Sequence, residues 1–377
     1  MSLQSLVLCS DETIMRVLRR VLSDLEINVE QCATADAAVC RLTRQRFEAV
    51  IVDCSDEDMA ASVLKSVRSA PCNKHAVAVA IIDGQKAVRS AFTLGAHFVL
   101  YKPVTQERAR TSFRAARALM KCERRRNTRV TIEIPVMLNL ANGGGQQKAT
   151  TCDLSEGGMA VYASRREQRS GALGIKFTLP GDEATIECRG EIAWDNGGSQ
   201  IGIRFVELAP EQRARLKTWL ARHSPEIEKD DPPVPCKLTD LSLGGCYLEL
   251  PGPFPARTKV TIAMRIAEAE MQVEGIVRVM QPEVGMGVEF ARGTAEQREQ
   301  SQKLIHALMN SHGKSPELTV QPEGMIDTEP GEPQPGETED PLLGLFRRKT
   351  ELTHEGFLSE LRKRRGPQPE PAATVPV

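Results

Sequence analysis

Arg125 and Arg129 stand four residues apart in the stretch CERRRNTRV, Cys122 to Val130, which carries four arginines in nine residues. Guanidinium groups grip phosphate through two parallel hydrogen bonds and stack on aromatic bases, which lysine does poorly. Twenty-four residues after Arg129 comes Asp153, at the head of DLSEGG, with Ser155, Gly157 and Gly158 in the same motif. Asp and Ser offer an acceptor and a hydroxyl close to the backbone, and paired glycines let a flat ligand approach it. Such a set, with Arg124 alongside, suits a purine nucleotide. The same letters also make a tight turn for purely structural reasons.

DLSEGG recurs as DLSLGG, with Asp240, Ser242, Gly244 and Gly245, at an offset of 87. The stretch RGEIAWDNGGSQIGIRF is echoed by EGIVRVMQPEVGMGVEF at an offset of 85. The residues before the second copy, IEKDDPPVPCKLT, are acidic and contain no RxxxR. Losing charge-assisted contacts of about 1.5–3 kcal/mol each would leave that copy unable to hold a dianion usefully. Packing, dimerisation or contact with a target suits it better.

A third set lies near the start: Asp11 follows the apolar run SLVLCS, Asp53 ends AVIVD, and Lys102 follows FVLY. Strand-like runs alternate here with helical patterns over residues 1–120, which predicts a doubly wound parallel sheet covered on both faces. Ligand chemistry in such a sheet belongs at the carboxyl ends of its strands, where these three residues fall.

From 122 the pattern changes to alternating apolar and polar residues with glycine turns. The repeat then predicts two copies of one small antiparallel β domain, each closing with a helix, over 122–224 and 228–312. Residues 313–341, rich in Pro and Glu, read as a disordered acidic linker. Residues 342–377 read as a short, basic, amphipathic helical tail, with Leu352, Phe357, Leu358 and Leu361 at helical spacing. It would dock on a partner, touch an anionic membrane surface weakly, fold back, or stay disordered.

Composition narrows the function. A length of 377 residues implies about two to four domains, and a formal net charge of −1 argues against DNA as a partner. The start lacks a signal-peptide pattern and no apolar run reaches bilayer length, so a cytoplasmic protein is expected. Ten cysteines without a CxxC pair read as reduced core residues rather than metal ligands. Neither β copy shows a nucleophile, base and oxyanion set, so a binding protein is expected rather than an enzyme.

RxxxR followed by DxSxGG is the signature of the PilZ domain, which residues 122–222 resemble closely, and the N-terminal segment resembles a response-regulator receiver domain. The first resemblance implies six-stranded barrels and cyclic di-GMP as ligand, with no further cofactor required. Arg124, Arg125 and Arg129 would then hold phosphate and stack on guanine, while Asp153 and Ser155 read a base edge over Gly157 and Gly158. The second implies Asp53 as phosphoacceptor with Asp11 and Lys102, and a magnesium ion that Asp11 and Asp53 could hold. Ser10 stands where that family has its other acid, and Ala80 at its hydroxyl switch position, which points to a degenerate receiver. Together these predict a signalling protein that changes its domain arrangement on binding cyclic di-GMP and so regulates an unknown downstream protein. A homodimer is compatible, and the alternative is a ligand-independent scaffold or dimerisation protein.

Overall fold

The computed structural model describes residues 2–70, 72–140, 145–163, 172–181, 184–196, 199–224, 230–266, 269–291, 302, 316–326, 341–347, 356–357 and 359–361. By contacts the chain divides into two compact units. One comprises residues 121–230, and the other joins residues 2–120 to 231–377.

In the second of these units, β1 (Leu3–Leu8), β2 (Ile27–Cys32), β3 (Ala49–Asp53), β4 (Val77–Ile82) and β5 (Phe98–Tyr101) form a parallel sheet in the order β2-β1-β3-β4-β5. Alternate residues of the central strands feed two cores. Val7, Ile51 and Val79 pack with α1 (Glu12–Asp24) and α5 (Gln106–Asn127), whereas Leu6, Val50 and Val52 pack with α2 (Ala35–Arg44) and α3 (Glu57–Ser69). Burial on both faces explains the near-continuous apolar runs. Short α4 (Val88–Thr93) covers the β4–β5 end. Helix α5 runs past the expected boundary at residue 120, and Arg124, Arg125 and Arg126 lie in its last turn.

The unit of residues 121–230 is a barrel. Its strands are β6 (Val130–Thr131), β7 (Pro135–Leu140), β8 (Gln146–Ser155), β9 (Gly158–Ala163), β10 (Ala172–Thr178), β11 (Thr185–Asp195) and β12 (Gln200–Glu207). β8 pairs with both β7 and β9, which closes the six strands β8-β7-β10-β11-β12-β9, and β6 adds beside the last part of β8. Helix α6 (Pro210–His223) buries Leu216, Trp219 and Leu220 against it.

A second closed barrel lies in the unit with the parallel sheet. β13 (Val234–Leu241), β14 (Gly245–Glu249), β15 (Thr258–Ile266), β16 (Ala269–Gln281), β17 (Gly285–Phe290) and β18 (Glu317–Met325) close in the order β13-β14-β17-β16-β15-β18. Here the sequence expectation needs correcting. Residues 317–325, read as part of a disordered linker, are the strand that completes this barrel, pairing antiparallel with β13 and β15. β7 makes the equivalent pairings, with β8 and β10, in the first barrel. The second barrel is thus a permuted copy whose missing first strand is supplied from beyond residue 312. The strand escaped notice because only Leu318 and Val320 are large among its inward positions, the others being Pro322 and Gly324. Pro322 is tolerated beside a bulge, where no ladder N–H is required. The remainder of the expected linker, at 313–315 and 327–340, lies outside the described residues.

This barrel and the sheet share one apolar core, in which Phe113 and Phe254 are fully buried. Arg108 pairs with Glu283 at 3.3 Å, and Arg117 pairs with Asp231 and, at 2.9 Å, with Glu26. Among the described residues no helix is long and apolar enough to cross a membrane.

Candidate functional site

Pairing of β6 with β8 sets Thr131 opposite Asp153 and so brings Arg129, just before β6, to that carboxylate. Arg129 Nη1 lies 2.5 Å from Asp153 Oδ1, which also accepts the Ala160 amide at 3.2 Å. The pair is accessible: the Arg129 side chain is 44% exposed. Across the outer face of the barrel, Asp153 is in register with Ala160, Ala160 with Gly202, and Gly202 with Trp194. The Trp194 indole lies over Gly202, where a Cβ would come within 2.1 Å of Nε1. Tyr162 and Trp194 both stand exposed on this barrel. Sequence reading missed them because a single Tyr and a single Trp carry no motif; only strand register brings them near Asp153.

The other motif residues sort differently. Ser155 is buried and donates to the Gly158 carbonyl at 2.9 Å, closing the β8–β9 turn. A Cβ on Gly158 would lie 2.2 Å from the Ile203 carbonyl oxygen. Gly157 lies beneath Arg126, and its carbonyl accepts the Phe205 amide at 2.9 Å. The turn therefore demands Ser155 and Gly158 whether or not a ligand binds. Arg125 is buried: its Nε sits 3.1 Å from Glu156 Oε2, and it also pairs with Asp230, which Lys217 shares. Arg124 is half-buried in the last turn of α5, where its carbonyl accepts the Thr128 amide at 2.8 Å.

The second copy reproduces the turn without the arginines. Ser242 donates to the Gly245 carbonyl at 3.1 Å, Phe290 donates to the Gly244 carbonyl at 2.8 Å, and a Cβ on Gly245 would meet the Val288 carbonyl oxygen at 2.4 Å. Its outer face runs in register from Asp240 through Tyr247 and Gly287 to Val279. That face is covered by the tail: Leu342, Leu345 and Phe346 of α7 (Pro341–Arg347), with Phe357 and Leu361, bury Tyr247 and Val279. Of the alternatives for the tail, folding back is the one observed. Leu352 and Leu358, also expected on the helical face, lie outside the described residues.

In the parallel sheet, Lys102 Nζ lies 2.8 Å from Asp53 Oδ1, and Ser55 donates to the same oxygen through its amide at 3.1 Å and its hydroxyl at 2.9 Å. Burial alone would raise the Asp53 carboxyl, but these hydrogen bonds and the ammonium charge outweigh it and hold the group below the ordinary carboxylate range. Asp11 caps α1, accepting from the amides of Thr13 at 2.7 Å and Ile14 at 3.2 Å. Cys9 donates to Asp53 at 3.6 Å, and burial pushes its thiol up to about 11. Among the described residues no group of three or more His, Cys, Asp or Glu is placed to hold a metal.

The family model described as "PilZ domain" matches the chain twice, over residues 123–222 and 221–307. Both barrels are PilZ domains. The second match ends at residue 307 and so does not reach β18, the strand that closes this copy and stands where the first match has β7. PilZ domains are a cyclic di-GMP-binding signalling family, typically without catalytic activity. Similar solved structures include a response regulator from Chloroflexus aurantiacus (21% identity, 29% of this chain and 92% of that one, TM-score 0.27). A sensor histidine kinase receiver domain from Pseudomonas aeruginosa is similar at 18% identity, over 32% of this chain and 98% of that one, TM-score 0.28. The PilZ domain of CeSA from a cellulose-synthesizing bacterium matches at 24% identity, over 26% of this chain and 100% of that one, TM-score 0.22. No curated protein matches the chain.

Proposed function

We propose that the first PilZ domain binds cyclic di-GMP on its outer face and passes the event to a downstream protein without catalysing a reaction. The observation that carries this reading is the accessible Arg129–Asp153 pair beside Trp194 and Tyr162, set against a second barrel that lacks the arginines and has the same face covered. Arg129 would take a phosphate, Asp153 a guanine edge, and the exposed rings a stacking position. Arg125 is held by Glu156 and Asp230, so it would reach the ligand only by leaving them. That exchange would disturb the end of α5 and the segment after α6, which is the proposed origin of a change in domain arrangement. Arg124 would assist from the same helical turn. In the receiver-like sheet, Asp53 would be the phosphoacceptor, with Lys102 neutralising its charge. A magnesium ion there would have to draw Asp11 away from the cap of α1.

Calorimetric titration of the full chain with cyclic di-GMP tests the reading. Binding that weakens by about tenfold or more in Arg129→Ala supports it. A wild-type chain that shows no heat and no competition with labelled ligand would overturn it in favour of a ligand-independent scaffold.

A further inference from the structure

The tail seated on the second barrel occupies the positions that correspond, strand for strand, to the open face of the first. Gly245, Tyr247, Val279 and Gly287 stand where the first barrel has Gly158, Ala160, Trp194 and Gly202. In the first barrel the ring over the strand glycine belongs to the barrel itself, since Trp194 covers Gly202. The second barrel has Val279 in place of that tryptophan, and the ring over Gly287 comes from Phe346 of α7; a Cβ on Gly287 would lie 2.5 Å from its Cε1. Leu343 lies against Gly245, and the Phe357 ring packs on Tyr247 with centroids 5.9 Å apart. The tail residues and the two outer-face side chains form an apolar cluster of their own, separate from the barrel's interior core.

Two further features bear on how firmly the tail is held. A seven-residue helix is far too short to persist alone in water, so α7 owes its helicity to the surface beneath it. Between Ile326 and α7 the sequence DTEPGEPQPGETED contains six acids and no large apolar residue, so it has nothing of its own with which to anchor the tail by apolar packing. We propose that the outer face of the second PilZ domain is a docking groove for an amphipathic Leu-x-x-Leu-Phe helix, and that the chain's own tail occupies it in cis as a detachable intramolecular ligand. Leu342, Leu345 and Phe346, at helical positions i, i+3 and i+4, are the anchors, and Gly287 provides the clearance for the phenyl ring. The second copy has therefore exchanged a ligand face for a peptide face.

A fluorescent peptide of residues 341–361 titrated into the full chain tests this. Tethering holds the chain's own tail at an effective concentration on the order of millimolar, so wild type should take up the free peptide poorly. The Phe346→Ser/Phe357→Ser chain should bind it about tenfold tighter or more, because the competing tail no longer fits. Adding Gly287→Val to that chain should abolish the gain by filling the space of the ring. Circular dichroism establishes that the variants are folded. The groove is overturned if the folded double variant binds no better than wild type, or if Gly287→Val leaves its binding unchanged. Concentration-dependent dimers in sedimentation that the Phe346→Ser/Phe357→Ser change dissolves would overturn the cis arrangement in favour of tails exchanged between copies.

Discussion

Arg125 and Glu156 form a buried ion pair, Nε to Oε2 3.1 Å, with 6% and 5% of their side chains exposed. Glu156 is the variable residue of DLSEGG; the second copy, which has no arginine partner, carries an exposed Leu243 there. The acid thus accompanies the arginine. Removing Arg125 leaves a buried carboxylate uncompensated, a loss on the order of 3–5 kcal/mol. Arg125→Ala should therefore lower the urea midpoint of the first barrel as well as its affinity for cyclic di-GMP. Glu156→Gln should weaken the hold on Arg125 and raise affinity, by about tenfold if 1.4 kcal/mol of competition is relieved. A calorimetric affinity for Glu156→Gln below that of wild type would show that Arg125 works from its buried position.

Arg129 should behave differently. Its pair with Asp153 is solvent-accessible, and exposed pairs contribute about 0–1 kcal/mol. Arg129→Ala is expected to unfold at nearly the wild-type urea concentration while losing ligand affinity by roughly 10- to 100-fold, the equivalent of one charge-assisted contact. Loss of stability equal to that of Arg125→Ala would assign Arg129 a structural role.

These two arginines show what the sequence could and could not convey. RxxxR and DxSxGG at their spacing were enough to single out Arg129 and Asp153, which the fold pairs, and the alternation of strands with helices was enough for the parallel sheet. Which motif residues stay accessible depends on register. Ser155 and Gly158 turned out to serve the turn, because Gly158 packs against the Ile203 carbonyl, a contact made by a strand some forty-five residues on. Arg125 was legible as a cation but not as a buried one, since its partner Asp230 lies beyond the whole barrel. The strand at Glu317–Met325 was hidden by composition: Pro, Gly and Glu dominate residues 313–341, and the two large inward side chains draw their meaning from β13 and β15.

Asp53 gives a pH dependence. Its folded carboxyl titrates below the ordinary 3.8, despite burial, through the bonds from Lys102 and Ser55. A depressed folded value means stability that is present above the unfolded pKa and lost as pH falls through the folded one. Asp53→Asn should thus cost stability at pH 7, and the gap in urea midpoint between wild type and variant should close below about pH 4. A gap that stays constant from pH 7 to about pH 3 would mean that the pair with Lys102 contributes nothing net.

Thiol chemistry should divide the cysteines by position. Cys40 and Cys72 are exposed, whereas burial pushes Cys188 and Cys236 up to about 12 and Cys246 well above the ordinary range. The thiolate is the reactive species, so iodoacetamide at pH 8 should label Cys40 and Cys72 first in the native chain. Mass spectrometry that found Cys246 labelled as quickly would require the second barrel to open readily.

The permuted strand carries the sharpest test of the fold. β18 supplies ladders to two neighbours and buries Leu318 and Val320, each contributing about 1.5–3 kcal/mol. Without it β13 and β15 become open edges, and the core that this barrel shares with α1 and α5 is uncovered. A chain ending at residue 312, where the sequence repeat alone would end the domain, should lose the thermal transition of the sheet and second barrel and should aggregate. One ending at Ile326 should keep that transition, lowered only by loss of the tail. Cooperative unfolding of the shorter chain at the wild-type temperature, followed by circular dichroism, would mean that the five remaining strands close without β18.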